Sequence, residues 1–120
     1  MIVSTTLTGS NAGIIGDALA SVLQQVDRCI VIDTGAQDET IDVARRVAGD
    51  KLLLRDFPWK NDFAAARNFA LDAAAEAGAT WAVTLDTDER LQFDRNFNLA
   101  RALAGTQVQV CMVVDAAGSY

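Results

Sequence analysis

The sequence contains no histidine, only one proline and one tyrosine, and only two cysteines. The absence of histidine excludes Ser-His and Cys-His nucleophile systems. It also argues against a zinc site, because Cys29 and Cys111 alone cannot supply four ligands. Each cysteine lies within an apolar run, so we expect two buried free thiols in a reducing, cytoplasmic setting rather than a disulfide.

Long hydrophobic runs and an excess of positive charge are also missing. No stretch approaches the ~20 apolar residues of a membrane span, and the N-terminus lacks the basic and then apolar segments of a signal peptide. The 10 Lys and Arg residues stand against 16 Asp and Glu residues, which gives a net charge of −6. Such a chain lacks the basic face that general nucleic-acid binding requires, so no nucleic-acid partner is expected.

The chain does have enough apolar residues for one folded domain. Hydrophobic residues make up 51% of its 120 residues, and domains usually have ~100–200 residues. Strand-like and helix-like segments alternate, which predicts an α/β fold with a mostly parallel sheet of about five strands flanked by helices. Strands are predicted at 2–7, 29–33, 51–55, 80–85 and 107–115, and helices at 14–26, 39–47, 63–77 and 93–103, with Asp38 and either Asn61 or Asp62 as N-caps.

Acidic residues follow two of these strands. In an open α/β sheet the ligand lies beyond the carboxyl ends of the strands, near the switch in strand order. Asp33 follows the second strand, and the sequence Asp86-Thr87-Asp88-Glu89 follows the fourth. Adjacent carboxylates repel each other unless a cation lies between them. Mg²⁺ and Mn²⁺ use one or two carboxylates with phosphate oxygens and water. Asp86 and Asp88 are therefore candidate metal ligands, and a solvated acidic turn is the alternative.

Three positions are candidates for nucleotide contacts. Asp33 can accept hydrogen bonds from a base N–H or a ribose hydroxyl, and Gly35 allows the backbone to approach a ligand closely. An ordinary Asx-turn is the alternative for Asp33. Arg67 lies at the edge of the apolar stripe of its helix, where a guanidinium pairs with a phosphate or an internal carboxylate. Nearby aromatic residues are expected to pack in the core or against loops rather than to form a stacking platform: Phe57, Trp59 and Phe63.

Three stretches carry the most specific pattern: IVIDTGAQDET at 30–40, DFAAARNFA at 62–70 and WAVTLDTDE at 81–89. Together they resemble family 2 glycosyltransferases of the GT-A fold in residue identities, order and spacing. The resemblance implies a three-layer, Rossmann-like nucleotide-diphospho-sugar transferase fold. It also implies a metal-dependent, hexosyl-type glycosyltransferase that binds a nucleotide-diphosphate sugar and transfers the sugar to an acceptor. Neither the sugar, the base nor the acceptor follows from the sequence.

The resemblance implies roles for single residues as well. The position of Asp33 contacts the nucleobase, and that of Arg67 lies near the base and the phosphates. The position of Asp86 contacts ribose or metal, and that of Asp88 ligates the Mn²⁺ or Mg²⁺ that bridges the diphosphate and steadies it as the leaving group. In inverting members the catalytic base lies well beyond the D-x-D motif. No catalytic base is assigned here, since the only late acid is Asp115.

The chain is thus expected to be a single nucleotide-sugar-binding domain over residues 1–120, without the acceptor-binding half. Homo-oligomer formation is left open. One alternative is the NAD(P)-binding Rossmann domain of a dehydrogenase, because Gly9, Gly13 and Gly16 follow the first strand and Asp33 lies about 20 residues on. The glycine spacing differs from G-x-G-x-x-G. Another alternative is a non-catalytic nucleotide-binding fragment.

Overall fold

A computed structural model of the chain describes residues 1–92 and 97–103. The elements are β1 (Ile2–Thr8), α1 (Ala12–Val22), β2 (Arg28–Asp33), α2 (Thr40–Ala48), a short 3₁₀ turn (Gly49–Lys51), β3 (Leu52–Asp56), α3 (Phe63–Glu76), β4 (Trp81–Thr84) and α4 (Leu99–Leu103). This confirms the predicted α/β class. The predicted strand at 107–115, which includes Cys111 and Asp115, lies outside the described residues, as do residues 93–96 of the predicted fourth helix.

The described strands form one parallel sheet in the order β3-β2-β1-β4. The register pairs Thr8 with Asp33, Asp33 with Asp56, and Thr5 with Thr84. Because parallel strands end at the same edge, the residues after all four strands share one rim of the sheet. The chain runs outward from β1 to β3 and then returns to the other side of β1 as β4. The strand order therefore reverses between β1 and β4, which is where α/β sheets bind their ligands.

Helices cover both faces of this sheet, as the predicted three-layer fold requires. On one face α1 and α2 pack over β1, β2 and β4, and the large side chains buried there include Ile15, Leu19, Val22 and Val31. On the other face α3 contacts β1 and β2 and turns toward them a row of buried alanines: Ala66, Ala70 and Ala74. Among the described residues, no helix has the length and apolar character needed to cross a membrane.

The start of α2 and the end of α1 differ from the sequence prediction. The N-cap of α2 is Glu39 rather than Asp38, whose carboxylate instead accepts the backbone N–H of Thr40 at 2.9 Å. The predicted helix at 14–26 ends earlier, at Val22, because the chain must turn to start β2 beside β1: the backbone N–H of Asp27 donates to the Ile2 carbonyl at 2.7 Å. The first correction comes from a local hydrogen bond between residues two apart, and the second from a contact between segments, which local helix propensity does not include.

The start of α3 agrees with the prediction. Asp62 is the N-cap, and its carboxylate accepts the backbone N–H of Ala65 at 3.0 Å. Gly78 follows the helix with a φ of 90°, a conformation that side chains other than glycine rarely adopt. These two signals fix where α3 begins and ends, and thereby place Arg67 about one turn after its first residue, Phe63.

Candidate functional site

The sheet places the two predicted acidic strand ends on either side of β1. Asp33 is the last residue of β2, and Asp86 follows β4 by two residues. Since neighbouring strands lie about 4.8 Å apart, the ends of β2 and β4 are about 10 Å apart along the rim. Thr8, at the end of β1, lies between them. A third acidic strand end, Asp56 of β3, pairs in register with Asp33 and was missed in the sequence because the third strand was predicted to begin and end one residue too early.

Asp33 closes the turn that follows β2. Its Oδ1 accepts the backbone N–H groups of Gly35 and Ala36 at 2.9 and 2.7 Å, so the Asx-turn considered for this residue is present. Gly35 has a φ of 131° and nothing within 4 Å of the position a Cβ would take, so this turn both requires glycine and leaves its backbone open. Within the described part of the chain, Oδ2 of Asp33 accepts no hydrogen bond. That oxygen remains available to a ligand.

The turn after β1 is fastened to the loop after β2. The backbone N–H of Asn11 donates to the hydroxyl of the buried Thr40 at 2.7 Å, and that of Gln37 donates to the Ser10 hydroxyl at 3.0 Å. The Thr40 hydroxyl in turn donates to Oδ1 of Asp38. This network holds two rim loops together. Its only signal in the sequence is the D-x-T spacing, which is also typical of an ordinary helix start.

Asp38 gives this network a pH dependence. The hydrogen bond from the Thr40 hydroxyl lowers the pKa of Asp38, so its contribution to stability is present above the usual Asp pKa and is lost as the pH falls through the lowered value. We expect Asp38→Asn to lower the thermal midpoint near neutral pH, and the difference from wild type to shrink as the pH falls below about 4 and through the lowered pKa of Asp38. Thermal unfolding followed by circular dichroism across this range measures the difference.

The control for this prediction is Asp72→Asn, which removes the same charge from an exposed position on α3. Its midpoint should track that of wild type, apart from a small constant offset. An Asp38→Asn difference that stays constant down to acidic pH would contradict the proposed role of the charge.

The acidic turn after β4 is closed by Glu89. Its Oε1 accepts the backbone N–H of Asp86 at 2.8 Å, and its own N–H donates to the Asp86 carbonyl at 3.0 Å. Glu89 is buried, and this burial, to which the charges of Asp86 and Asp88 add, raises the pKa of its carboxyl. Asp88 is exposed and Asp86 is half-buried. The turn therefore engages Glu89 in its own structure, and Asp88 is its most exposed carboxylate.

Arg90 ties the acidic turn to α1. Its guanidinium donates to the carbonyls of Thr87 and Glu89 at 2.9 and 2.7 Å, and to the carbonyl of Ile14 in the first turns of α1 at 3.1 Å. Three charge-assisted hydrogen bonds to carbonyls fix the conformation of the turn more firmly than its own backbone contacts would. The sequence offers no signal for the contact with α1, because Arg90 and Ile14 are 76 residues apart.

The donor set of the acidic turn fits a hard cation with few protein ligands. Over residues 1–92 and 97–103, the structure contains no group of three or more His, Cys, Asp or Glu side chains arranged to hold a metal. Asp86 and Asp88 could thus provide two carboxylates at most. That number matches Mg²⁺ and Mn²⁺ sites in which substrate phosphates and water supply the remaining oxygens.

Arg67 lies on α3, apart from the two acidic turns in its contacts. Its guanidinium lies 4.8 Å from the centroid of the Phe63 ring. Among the described residues it has no carboxylate partner, so the internal salt bridge considered for it is not formed there. No hydrogen bond within that part of the chain joins Arg67 to Asp33 or Asp86. Within residues 1–92 and 97–103, its guanidinium therefore contacts an aromatic ring and not an acidic side chain.

The three aromatic residues near α3 differ in their surroundings. Phe57 packs on Phe69 with the ring centroids 4.8 Å apart, as expected. Trp59 and Phe63 are 49% and 51% exposed, so the expectation that they pack in the core or against loops was wrong. Trp59 lies in the loop that follows β3, and Phe63 is the first residue of α3. In this part of the chain the side chains that face away from the sheet stay exposed to solvent.

Comparison with known proteins agrees with this geometry. Residues 4–119 match the model of the family described as Glycosyl transferase family 2. The chain is also similar to a TPR repeat-containing protein of Synechococcus elongatus, with 51% identity over 73 residues. That similarity covers 61% of this chain and 17% of the relative.

Proposed function

The chain belongs to glycosyl transferase family 2, and from this we propose that it binds a nucleotide-diphosphate sugar at the carboxyl rim of its sheet and transfers the sugar to an acceptor. The observation that carries the proposal is the pair of acidic turns, at Asp33 and at Asp86, on the two sides of β1 where the strand order reverses. One turn offers an acceptor oxygen and an open backbone, and the other offers two carboxylates in a fixed turn. A nucleoside diphosphate needs both kinds of contact.

In this proposal the turn after β2 binds the nucleoside. The unoccupied Oδ2 of Asp33 accepts a hydrogen bond from the base or the ribose, and the exposed backbone at Gly35 allows close approach. Arg67, with no carboxylate partner among the described residues, contributes positive charge near the phosphates. Its ring contact with Phe63 limits the directions in which the guanidinium can point.

Asp86 and Asp88 would hold the Mn²⁺ or Mg²⁺. The ion, when bound, supplies a Lewis acid that stabilises the leaving nucleoside diphosphate. Glu89 and Arg90 keep the acidic turn closed before any ligand arrives, which reduces the reorganisation needed on binding. A cytoplasmic location is part of the proposal, and its support is the buried free thiol of Cys29, which suits a reducing compartment.

The dehydrogenase alternative finds less support at the turn after β1. A Cβ at Gly16 would lie 3.2 Å from Cγ1 of Val43, so the close packing of α1 on α2 accounts for this glycine without a dinucleotide. Gly13 has nothing within 4 Å of its Cβ position. A non-catalytic nucleotide-binding fragment would use the same rim contacts, and only a transfer assay distinguishes it from an enzyme.

Calorimetric titration of UDP- and GDP-sugars, with Mn²⁺ and again with EDTA, tests the proposal. We expect binding of at least one donor with Mn²⁺ and a drop of at least about tenfold in affinity without it, since phosphate oxygens then lose their cation. NAD(H) is the control ligand and should not bind. Absence of metal-dependent binding for every donor, or metal-free binding of NAD(H), would overturn it. Release of free nucleoside diphosphate from the bound donor then reports transfer to water or to an added acceptor.

A further inference from the structure

The loop between β3 and α3 brings an exposed indole beside the Asp33 turn. The backbone N–H of Phe57 donates to the Asp33 carbonyl at 2.9 Å, and that of Trp59 donates to the Thr34 carbonyl at 3.1 Å. These two bonds extend the pairing of β2 with β3 beyond the end of the sheet. The Trp59 backbone is thereby fixed next to the residue whose carboxylate has a free oxygen.

The indole itself is held in one orientation. Its Nε1 donates to Oδ1 of Asn61 at 3.0 Å. Asn61 has a φ of 57°, in the left-handed region that asparagine enters more readily than most residues. The polar atom of Trp59 is therefore satisfied while 49% of the residue stays exposed. Within the described part of the chain, no other ring and no cation stacks on the indole.

Two rings near Trp59 each carry a cation over one face. Lys60 Nζ lies 5.3 Å from the centroid of the Phe57 ring, and the Arg67 guanidinium lies 4.8 Å from that of Phe63. Among the described residues, Trp59 thus differs from Phe57 and Phe63 in having no cation over its ring. Lys60, the next residue along the chain, and Arg67 in the helix that follows supply positive charge to this segment, which complements an anionic ligand rather than an apolar partner surface.

We propose that the indole of Trp59 is the stacking surface for the nucleobase of the nucleoside diphosphate, an inference that rests on the proposed donor site. A base presents a flat aromatic face together with N–H groups at its edge. The indole matches the face, and the carboxylate of Asp33, in the turn to which the Trp59 backbone is hydrogen-bonded, matches the edge. Stacking tolerates any base, because every base has a π-face. Phosphates attached to the nucleoside would lie in the field of Lys60 and Arg67.

The test compares a ligand that has a base with one that has none. UDP and inorganic pyrophosphate are each titrated, in the presence of Mn²⁺, into wild type, Trp59→Ala and Trp59→Phe. The control variant is Leu71→Ala, which removes an exposed apolar side chain from α3 instead of from the loop. We expect Trp59→Ala to weaken UDP binding about tenfold and Trp59→Phe to weaken it less than about threefold. Pyrophosphate affinity should stay within about twofold of wild type in all variants, since no stacking is involved.

Fluorescence gives a second measurement on the same contact. The chain has two tryptophans, so Trp81→Phe leaves Trp59 as the only emitter. UDP should quench this emission with the calorimetric dissociation constant, and pyrophosphate should not. Quenching by both ligands would mean that the loop moves without stacking and would overturn the proposal.

The outcomes separate this inference from the proposed function. Wild type that binds UDP with Mn²⁺ while Trp59→Ala binds it equally well overturns the stacking role alone. An equal loss of UDP and pyrophosphate affinity in Trp59→Ala also overturns it, because the residue would then act on loop structure. Wild type that binds no nucleoside diphosphate overturns the donor site, and the stacking role with it.

Discussion

Asp88→Ala is expected to weaken Mn²⁺-dependent binding of a nucleoside diphosphate by about 100-fold, since even residues that only support metal ligands cost 10- to 100-fold when replaced. Asp88 is exposed and lies in a turn that Glu89 and Arg90 close without it. Its removal should therefore affect the ligand and not the fold. The measurement is calorimetric titration of UDP in Mn²⁺ and in EDTA, with the affinity difference between the two conditions as the readout.

Whereas Asp88→Ala should lower the metal-dependent affinity, it should raise the thermal stability slightly or leave it unchanged. The charge of Asp88 adds to the raised pKa of the Glu89 carboxyl, so removing this charge relieves repulsion in the metal-free chain. We expect the thermal midpoint of Asp88→Ala in EDTA to equal or slightly exceed that of wild type. The matched control is Asp72→Ala, an exposed carboxylate on α3, which should leave both readouts unchanged. A wild-type level of metal-dependent affinity in Asp88→Ala would remove this residue from the ligand set.

Much of the fold could be predicted because strands and helices here are locally consistent. Apolar runs of β-branched residues end at Asp33 and before Asp86, and parallel strands bring their ends to one rim. The neighbourhood of the two acidic turns therefore follows from strand ends and topology alone. Asp62 and Gly78 fix α3 by local rules. The roles of these site residues stay predictions.

The rest depends on contacts between segments distant in sequence. Arg90 donates to the carbonyl of Ile14. A basic residue after an acidic turn does not by itself predict a hydrogen bond to so distant a residue. From the sequence, Thr40 is predicted only as a helix residue. In the structure its hydroxyl also accepts the backbone N–H of Asn11. Trp59 was expected to be packed, and its exposure follows from the tether of its loop to Thr34. Sequence patterns indicate which faces of helices and strands are apolar. The hydrogen bonds that hold loops together can be identified only from the tertiary structure.

The alanine row of α3 links this packing to the site. Ala66, Ala70 and Ala74 recur every four residues and are at most 3% exposed, so α3 lies close against the face of the sheet formed by residues such as Val3 and Ile30. Ala70→Leu adds three heavy atoms where no room exists. Overpacking of this kind costs about 1–3 kcal/mol, and we expect a loss in the free energy of unfolding near the upper end of that range.

The same substitution should also reduce nucleotide affinity, because α3 carries Arg67 and follows the loop that holds Trp59. Urea unfolding measures the first effect and calorimetric titration of UDP in Mn²⁺ the second. Ala75→Leu is the matched control, since it makes the same change on an exposed part of the same helix, and surface changes of this kind usually stay within about 0.5 kcal/mol. If Ala70→Leu unfolds like wild type, the interface has room and the close approach of α3 is wrong. If it is destabilised while UDP affinity is unchanged, α3 supports the sheet but does not position the nucleotide contacts.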